Sequence, residues 1–445
     1  MAFSHKIGLH GAKVETITFW ALCFLFASWM VLRYHHDWYL LIDDWTILGS
    51  RMEHLELYGF DDFLLRRHNE HLMGGMVLWN VGLAEMFGLR SYLPWIVSLQ
   101  LANVFVAWTL KEFARRIGVS PITAAVAAPL FLIWGPFSSV AAWAPEAIFP
   151  ISLALIFAQY GLSSHDDARL LRTIAGACIG TLGVFLHSAC VVAVPLIVLW
   201  LATKRLWIKG IIASIPVVLY GLWFVTYQTR PPSNRWFDAN AAEAPNEHSF
   251  LLIAEFSAKI VSRIAANGSS VAGFALIAVL IFWGAKVAFR SGGPTREVMI
   301  LALTTGAIYL IAFSWTRGYV TDVIFGMEPP ARYAAVVAVP IAPVALLGGQ
   351  AILQRIGPML SVRKSCVRTV VLLLLPVLFA AQGAQRIEYD KGAIPFAKIS
   401  RARVLELADD PLLSTLNQNQ LVFGDNWLND IVIGDISRFR RLGWL

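Results

Sequence analysis

Charged residues are scarce in this chain of 445 residues. Asp, Glu, Lys and Arg make up 15% of it, whereas 57% of the residues are hydrophobic. Soluble domains carry about 25% charged residues, so this balance excludes an ordinary soluble protein and favours one with many membrane helices. The net charge of +7 comes from Lys and Arg between apolar segments, as membrane topology requires. We therefore expect no binding of nucleic acid.

Cysteine is also rare. The four Cys residues lie in or beside apolar segments, and none forms a CxxC pair, which argues against a disulfide framework or a cysteine metal site. The chain also has no P-loop, no glycine fingerprint for dinucleotides and no Ser-His-Asp arrangement that can be placed. The apolar run 17–34 has no small-residue cleavage site behind it, so it predicts a retained first span.

Long apolar runs fill most of the sequence. A span needs about 20 mostly apolar residues, and we therefore predict an all-α polytopic membrane protein of about eleven spans, with residues 1–385 as one membrane domain. The predicted spans are 16–34, 93–113, 121–137, 145–161, 172–189, 190–203, 208–227, 268–285, 297–315, 332–350 and 369–385.

A twelfth apolar run, 72–89, contains Asn80 and Glu85 and has no charge-free core of full length. If it crossed the membrane, every later loop would change sides. The excess of Lys and Arg would then lie outside the cytoplasm, against the positive-inside rule. We therefore predict that it lies on the membrane or re-enters it, and that the N-terminus is cytoplasmic. The segments then expected to face outside are 35–92, 228–267 and the tail 386–445, in which short strand-like runs recur.

Titratable side chains concentrate in residues 35–71, which hold five of the ten His residues and two adjacent Asp pairs, Asp43–Asp44 and Asp61–Asp62. Apolar residues from Leu41 to Leu55 recur here at helical spacing, which predicts a helix that lies in the membrane interface. Asp43 has a plausible N-cap position opposite this apolar stripe, and Asp44 falls near its edge.

The Asp43–Asp44 pair has two chemical uses. A carboxylate can take a proton from a hydroxyl as general base, or hold a divalent cation against a phosphate. We expect desolvation beside Leu41 and Trp45 to raise the pKa of Asp43 and make it a better base. The alternative is a helix cap followed by a solvated charge.

Further polar residues are candidates for substrate binding. His68 and His71 share a helix face and, with Glu70, can contact a polar substrate or a metal, or simply form a polar junction. Glu146 is a carboxylate at the membrane edge, which suggests function, or a solvated loop residue. His187 is expected to be structural.

A basic site is predicted nearer the C-terminus. Arg317, Arg332 and Tyr333 lie in or beside an outside loop, and arginine binds phosphate through a bidentate fork. Arg332 opens a predicted span and would therefore lie at headgroup depth. The alternative is an interfacial Arg that extends its charge towards water.

Taken together, these features resemble the GT-C superfamily of membrane glycosyltransferases, which includes protein O-mannosyltransferases and lipid A aminoarabinose transferases. The resemblance covers residues 16–200 best. It rests on the acidic pair at the start of an outside loop, the junction His68–His71, Phe87–Gly88, the basic end of a span at 115–116, and Glu146. The sequence departs from the pattern in having Asp-Asp for Asp-Glu, His-Asn-Glu-His at the junction, and Glu146 where relatives often have Asp.

The resemblance implies a GT-C-like bundle with extracytoplasmic surface helices. It implies transfer of a sugar from polyprenyl phosphate to a glycolipid, polysaccharide or protein of a bacterial cell envelope, outside the cytoplasm at the plasma (inner) membrane. Asp43 would be catalytic, with Asp44 beside it. Asp43 and Glu146 would hold any divalent cation, Mg²⁺ or Mn²⁺.

Two other functions remain open at this point. A transporter or flippase of envelope lipids predicts ionisable residues in the middle of spans and broken helices in paired halves. Here the spans are nearly free of charge and the acids cluster outside, which favours the enzyme. A scaffold for envelope assembly is the third alternative, if the acidic pair is inert.

Overall fold

The computed structural model of this protein describes residues 2–41, 43–68, 71–164, 170–232, 250–265, 271–324, 331–359, 390–423 and 431–445. Within these ranges the chain is helical, and its β pairings are two isolated bridges, His68 with His71 and Leu421 with Val432. The all-α prediction is therefore confirmed.

Helices α1 to α8 precede the midpoint of the chain. They are α1 Ala2–Tyr34, α2 Asp43–Trp45, α3 Arg51–Tyr58, α4 Phe60–Leu65, α5 Gly74–Phe87, α6 Leu93–Arg116, α7 Pro121–Ala127 and α8 Ser138–Ala142. A π-helix, Thr46–Ser50, joins α2 to α3, and the 3₁₀ turns Ala128–Ile133 and Gly135–Phe137 follow α7.

The later helices continue to the C-terminus. They are α9 Ala144–Ser163, α10 Leu170–Leu186, α11 Val194–Thr203, α12 Trp207–Ala213, α13 Ile215–Tyr227, α14 Phe250–Ala265, α15 Val271–Ser291, α16 Gly293–Ile324, α17 Ala331–Met359, α18 at 390–409, and α19 Ile433–Arg441. The 3₁₀ turn Ser188–Ala193 precedes α11, and another, Leu413–Thr415, follows α18.

Ten of the eleven predicted spans fall on apolar helices. Six described helices are long and apolar enough to cross a membrane: Lys13–Tyr34, Leu93–Arg116, Ala144–Ser163, Val271–Ser291, Gly293–Trp315 and Ala331–Arg355. Two more are bent pairs, Pro121–Ile133 with Gly135–Ala142 and Trp207–Ala213 with Ile215–Tyr227, and Leu170–Leu186 and Ser188–Thr203 are shorter apolar helices. The chain is thus a multi-pass membrane protein, and the predicted span 369–385 lies outside the described residues.

Helix α5 occupies the ambiguous run 72–89. Its 14 residues rise about 21 Å, which is less than the roughly 30 Å of a bilayer's hydrocarbon core. Its buried Asn80 accepts a hydrogen bond of 2.9 Å from the indole of Trp95, so this polar side chain is satisfied inside the protein. Both observations support the prediction that this run does not cross the membrane.

The described residues divide into two compact units. Unit 1 comprises Met1–Met30, Gln100–Ala141 and Pro245–Tyr389, and unit 2 comprises Val31–Leu99, Ala142–Ala244 and Asp390–Leu445. In unit 1, helix α14 contacts α15, α16 and α17. In unit 2, α9 packs on α10 through small residues, since a Cβ on Gly183 would lie 2.9 Å from the carbonyl oxygen of Ser152. The glycines of α10 therefore allow the two helices to approach closely.

The tail is helical where strands were predicted. The run around Ile433 forms one bridge, between Val432 and Leu421, and then enters α19. Asp435 stabilises that helix start, because its Oδ2 accepts the backbone N–H of Val432 at 3.1 Å. The strand prediction was wrong here because the capping carboxylate outweighs the β propensity of the apolar residues.

Candidate active site

The acidic pair lies at the start of a continuous helical run in unit 2. Asp43 and Asp44 open α2, and the π-helix Thr46–Ser50 follows directly. The two carboxylates face different surroundings: the side chain of Asp43 is 38% exposed, whereas that of Asp44 is buried. An accessible carboxylate and a buried one are thus adjacent in sequence.

Asp44 links α2 to the N-terminus of α9. Its Oδ2 accepts the backbone N–H of Leu41 at 3.0 Å and the indole N–H of Trp143 at 2.8 Å. Its Oδ1 is buried without a hydrogen-bond partner. Burial raises the pKa of Asp44 to about 7, although these two hydrogen bonds oppose the rise. The desolvation that we expected at Asp43 therefore falls on Asp44.

The raised pKa of Asp44 makes stability depend on pH. The folded state binds the proton more tightly than the unfolded state. This contribution to stability is therefore complete below the ordinary pKa of 3.8 and is lost as pH rises through about 7. We expect the purified protein to unfold at a lower temperature at pH 8 than at pH 5.5. Thermal unfolding in detergent measures this. The Asp44→Asn variant should have a smaller difference between the two pH values, and an unchanged difference would contradict the assignment.

The apolar stripe beside the pair packs inside the protein. Leu41 and Met52 are each 7% exposed, Trp45 is 1% exposed and Leu48 is fully buried. The expected helix exists, but its apolar face does not face lipid. The interfacial placement was wrong, because helical periodicity shows which face is apolar and not what covers it.

The histidine junction adjoins Asp43. The backbones of His68 and His71 exchange two hydrogen bonds of 2.9 Å, so they form a tight extended turn and do not share the predicted helix face. The Nε2 of buried His68 lies 3.6 Å from Oδ1 of Asp43. His68 can therefore orient Asp43, while the half-buried His71 keeps some access to solvent. Glu70 lies outside the described residues.

His71 belongs to a cluster of three rings in tilted and edge-on contact. Its ring centroid is 4.5 Å from that of His187 and 6.5 Å from that of Phe149. His187 is buried, and its Nδ1 accepts the backbone N–H of Ala189 at 3.2 Å. That contact leaves Nε2 as the protonated nitrogen of a neutral ring. The structural role expected for His187 is consistent with this position behind His71.

Glu146 lies in the first turn of α9, three residues after Trp143. The side chain is buried, so it is not the solvated loop residue of the alternative interpretation. The N-terminus of a helix favours a negative charge, and α2 contacts α9. The structure thus brings Asp43, Asp44, His68, His71 and Glu146 to one part of unit 2 from separate segments of the chain.

An arginine-rich cluster supports the junction and was missed in the sequence. Asp62 accepts Arg66 Nη1 at 2.8 Å and Arg230 Nη1 at 2.6 Å. Fully buried Arg51 donates to the carbonyls of Asp62 and Phe63, each at 3.3 Å, and so caps the end of α4. Burial lowers the pKa of Arg51 to about 9, with Arg66 adding repulsion. Burial of an arginine is the feature that no local sequence pattern signals.

The remaining predicted residues lie in unit 1. Arg332 opens α17, and its guanidinium lies 5.1 Å from the ring centroid of Tyr333. Tyr333 is buried and stacks on Phe313 at 4.5 Å. Arg317 lies in α16, and its side chain is outside the described part. Their role in binding phosphate stays a prediction.

A metal site is not assembled by the residues that the structure describes. No group of three or more His, Cys, Asp or Glu side chains among them is placed to hold a metal ion. Two carboxylates, Asp43 and Glu146, are fewer protein ligands than most dedicated metal sites supply. We therefore write no step through a metal, and the predicted cation stays a prediction.

Comparison with known proteins identifies the fold. No protein-family model matches the chain, and no curated protein does. A crystal structure of ArnT from Cupriavidus metallidurans bound to undecaprenyl phosphate matches 92% of this chain and 82% of its own, with a TM-score of 0.50 and 16% identity. The apo structure of ArnT gives a TM-score of 0.48 and 15% identity over 95% of this chain and 82% of its own. The fold thus resembles that of ArnT, in agreement with the membrane-bundle fold that the sequence resemblance predicted.

Proposed function

We propose that the protein is a membrane glycosyltransferase that moves a sugar from a polyprenyl-phosphate donor to a hydroxyl of an envelope acceptor. The observation that carries this proposal is the half-exposed Asp43, whose Oδ1 lies 3.6 Å from Nε2 of buried His68. Asp43 adjoins buried Asp44, and its helix α2 contacts α9, which carries buried Glu146. The shared fold with ArnT, whose solved structure holds undecaprenyl phosphate, supports the lipid donor.

The proposed reaction is an in-line displacement at the anomeric carbon. Asp43 takes the proton from the acceptor hydroxyl, and the acceptor oxygen forms a bond to the anomeric carbon. The bond between that carbon and the phosphate oxygen breaks, and the electron pair leaves with the lipid phosphate. A nearby cationic or hydrogen-bonding group stabilises the charge that develops on this leaving group.

The neighbouring residues have distinct proposed roles. Asp44 fixes α2 against Trp143 through the 2.8 Å hydrogen bond, so Asp43 has a defined direction. His68 orients the carboxylate of Asp43, and His71, with His187 behind it at 4.5 Å, meets the donor phosphate. Positioning of this kind accounts for much of the rate enhancement in enzymes that hold two substrates.

A transfer assay tests this function. Purified protein in lipid nanodiscs would be given undecaprenyl phosphates that carry different hexoses and pentoses, together with an envelope extract as acceptor. Release of free undecaprenyl phosphate and appearance of the sugar on the acceptor, both followed by mass spectrometry, are the expected result. The flippase alternative predicts movement of the intact lipid-linked sugar across a proteoliposome membrane without cleavage. That outcome, with no transfer from any donor, would overturn the proposal.

Arg332 and Arg317 are expected to bind phosphate. Replacing either with Ala should weaken binding of undecaprenyl phosphate by about tenfold or more, because a charge-assisted contact is lost. Lys should restore binding only in part, since it lacks the bidentate fork. Native mass spectrometry with added undecaprenyl phosphate measures this, and unchanged affinity in both Ala variants would show that neither arginine binds the lipid phosphate.

The site is proposed to face outside the cytoplasm at the plasma membrane of a bacterium. A reporter fused after Gly118 is expected to be active only in the cytoplasm, because the basic residues before it end a span on that side. A fusion after Arg235 is expected to be active only outside. The opposite pattern at both positions would place the acidic pair in the cytoplasm and contradict this orientation.

A further inference from the structure

The acidic pair is followed by an unusual turn. Every residue of the π-helix Thr46–Ser50 is buried, and the side chains of Thr46, Ile47, Leu48 and Ser50 are at most 1% exposed. π-helical turns are rare and occur frequently at functional sites. Because this turn directly follows Asp43 and Asp44, the contacts that surround it bear on the position of the pair.

The C-terminal segment, residues 390–445, supplies the first of these contacts at Trp45. The ring of Trp45, next to Asp44, stacks on Phe439 of α19 at 6.2 Å, and Phe439 stacks in turn on Trp444 at 5.5 Å. All three side chains are at most 2% exposed. Removal of the Phe439 ring would therefore leave a cavity against Trp45.

A second contact reaches the chain on both sides of the pair. The hydroxyl of Ser400 on α18 accepts the indole N–H of Trp45 at 3.4 Å and donates to the carbonyl of Leu40 at 3.1 Å. One buried side chain of the C-terminal segment thus bridges the residues that precede and follow Asp43 and Asp44.

The third contact is a close approach at Gly49. A Cβ at this position would lie 2.8 Å from Oδ2 of Asp435, which no real side chain allows. Asp435 cannot easily withdraw, because its oxygens accept Val432 N–H at 3.1 Å and Arg438 Nη1 at 2.8 Å. Arg438 also donates to Glu56 on α3 at 3.1 Å. The C-terminal segment therefore also contacts the π-helix at Gly49, near the end of this turn.

We propose that the C-terminal segment is a positioning element for the proposed transferase, in which Phe439 and Asp435 hold the π-helix that orients the acidic pair. Neither residue touches substrate in this proposal, and both act through Trp45 and Gly49. The expected effect on the rate of sugar transfer rests on the proposed function. The placement of the π-helix, by contrast, can be measured without any substrate.

The test uses full-length protein in nanodiscs and three variants. Phe439→Ala removes the ring that stacks on Trp45, and Phe439→Leu keeps a large apolar side chain there. The control, Leu442→Ala, changes a side chain of the same segment that is 41% exposed. Hydrogen–deuterium exchange of peptides that cover 43–52 reports the turn, with peptides of α13 as an internal reference. Transfer of sugar from undecaprenyl phosphate gives kcat and KM.

We expect Phe439→Ala to raise hydrogen–deuterium exchange in 43–52 and not in α13. We also expect it to lower kcat by about tenfold or more, with little change in the KM for the donor, because displacement of a catalytic group slows the reaction. Phe439→Leu should recover part of both effects, and Leu442→Ala should match the wild type. Exchange in 43–52 that stays at the wild-type level in folded Phe439→Ala would overturn the proposal.

A second variant keeps the proposal testable if Phe439→Ala does not fold. Gly49→Ala leaves the sequence of the C-terminal segment unchanged but forces Asp435 and the π-helix apart, so the same rise in exchange and loss of kcat are expected. A folded Gly49→Ala protein with wild-type exchange would overturn the proposal. If no variant or wild-type protein transfers sugar but the exchange differences are present, the proposed function fails and the positioning of the turn stands.

Discussion

Replacing Asp43 with Asn is expected to reduce sugar transfer by about 10²–10⁴-fold, which is the typical contribution of a general base. Asn keeps the shape of the side chain but cannot take the proton of the acceptor hydroxyl. The half-exposed side chain of Asp43, 3.6 Å from His68, is the accessible carboxylate of the pair. Initial rates in nanodiscs that hold equal amounts of each variant measure the effect.

Two matched variants separate base chemistry from structure. Asp44→Asn retains an oxygen that can accept the N–H groups of Leu41 and Trp143, so we expect a smaller loss of rate than at Asp43. Asp61→Asn changes an exposed carboxylate of the second acidic pair, and its rate of sugar transfer should be close to that of the wild type. A wild-type rate in Asp43→Asn would show that the base is elsewhere. Equal losses in all three variants would point to a general electrostatic effect.

Adding one methyl group at Gly348 is expected to destabilise unit 1 strongly. Helices α15 and α17 cross there with their backbones in contact, since a Cβ on Gly348 would overlap the carbonyl oxygen of Leu280, and one on Gly284 would overlap that of Val344. Backbone atoms of two packed helices cannot move aside locally, so the helices must separate. Overpacking typically costs about 1–3 kcal/mol and occasionally more. We expect Gly348→Ala to lower the free energy of unfolding by about 3 kcal/mol or more.

The neighbouring glycine provides the control. A Cβ on Gly349 would lie 3.7 Å from Cδ2 of Leu280, which is ordinary van der Waals contact. Ala is favoured over Gly in a helix by about 1 kcal/mol, and that gain applies equally to both positions. Unfolding in detergent with increasing denaturant should therefore separate Gly348→Ala from Gly349→Ala. Equal stability of the two variants would contradict the close helix crossing.

Hydropathy and helical spacing determined the class of this protein from sequence alone. Apolar runs such as 93–113 and 332–350 predict helices, because a span in lipid must form all of its backbone hydrogen bonds internally. This constraint acts locally along the chain. The same local argument placed Asp43 and Asp44 at the start of a helix. The positive charge between spans predicts that 72–89 does not cross the membrane, and this topology stays a prediction.

Only the tertiary structure decided how the site is built. Trp143 donates to Asp44 across 99 positions of sequence, and Phe439 covers Trp45 from the last helix of the chain. These contacts depend on how distant helices pack, which no local period encodes. They bury Asp44 rather than Asp43, and they turn the predicted interfacial stripe towards the interior of the protein.

The same physical reason explains the buried arginine. Arg51 stands among polar residues in the sequence, where an exposed charge is the ordinary expectation. In the structure it caps α4 through the carbonyls of Asp62 and Phe63, and that position exists only once α3 and α4 have packed. The sequence determined which groups are available for chemistry, and the packing of segments far apart in the chain decided which of them are buried, oriented and accessible.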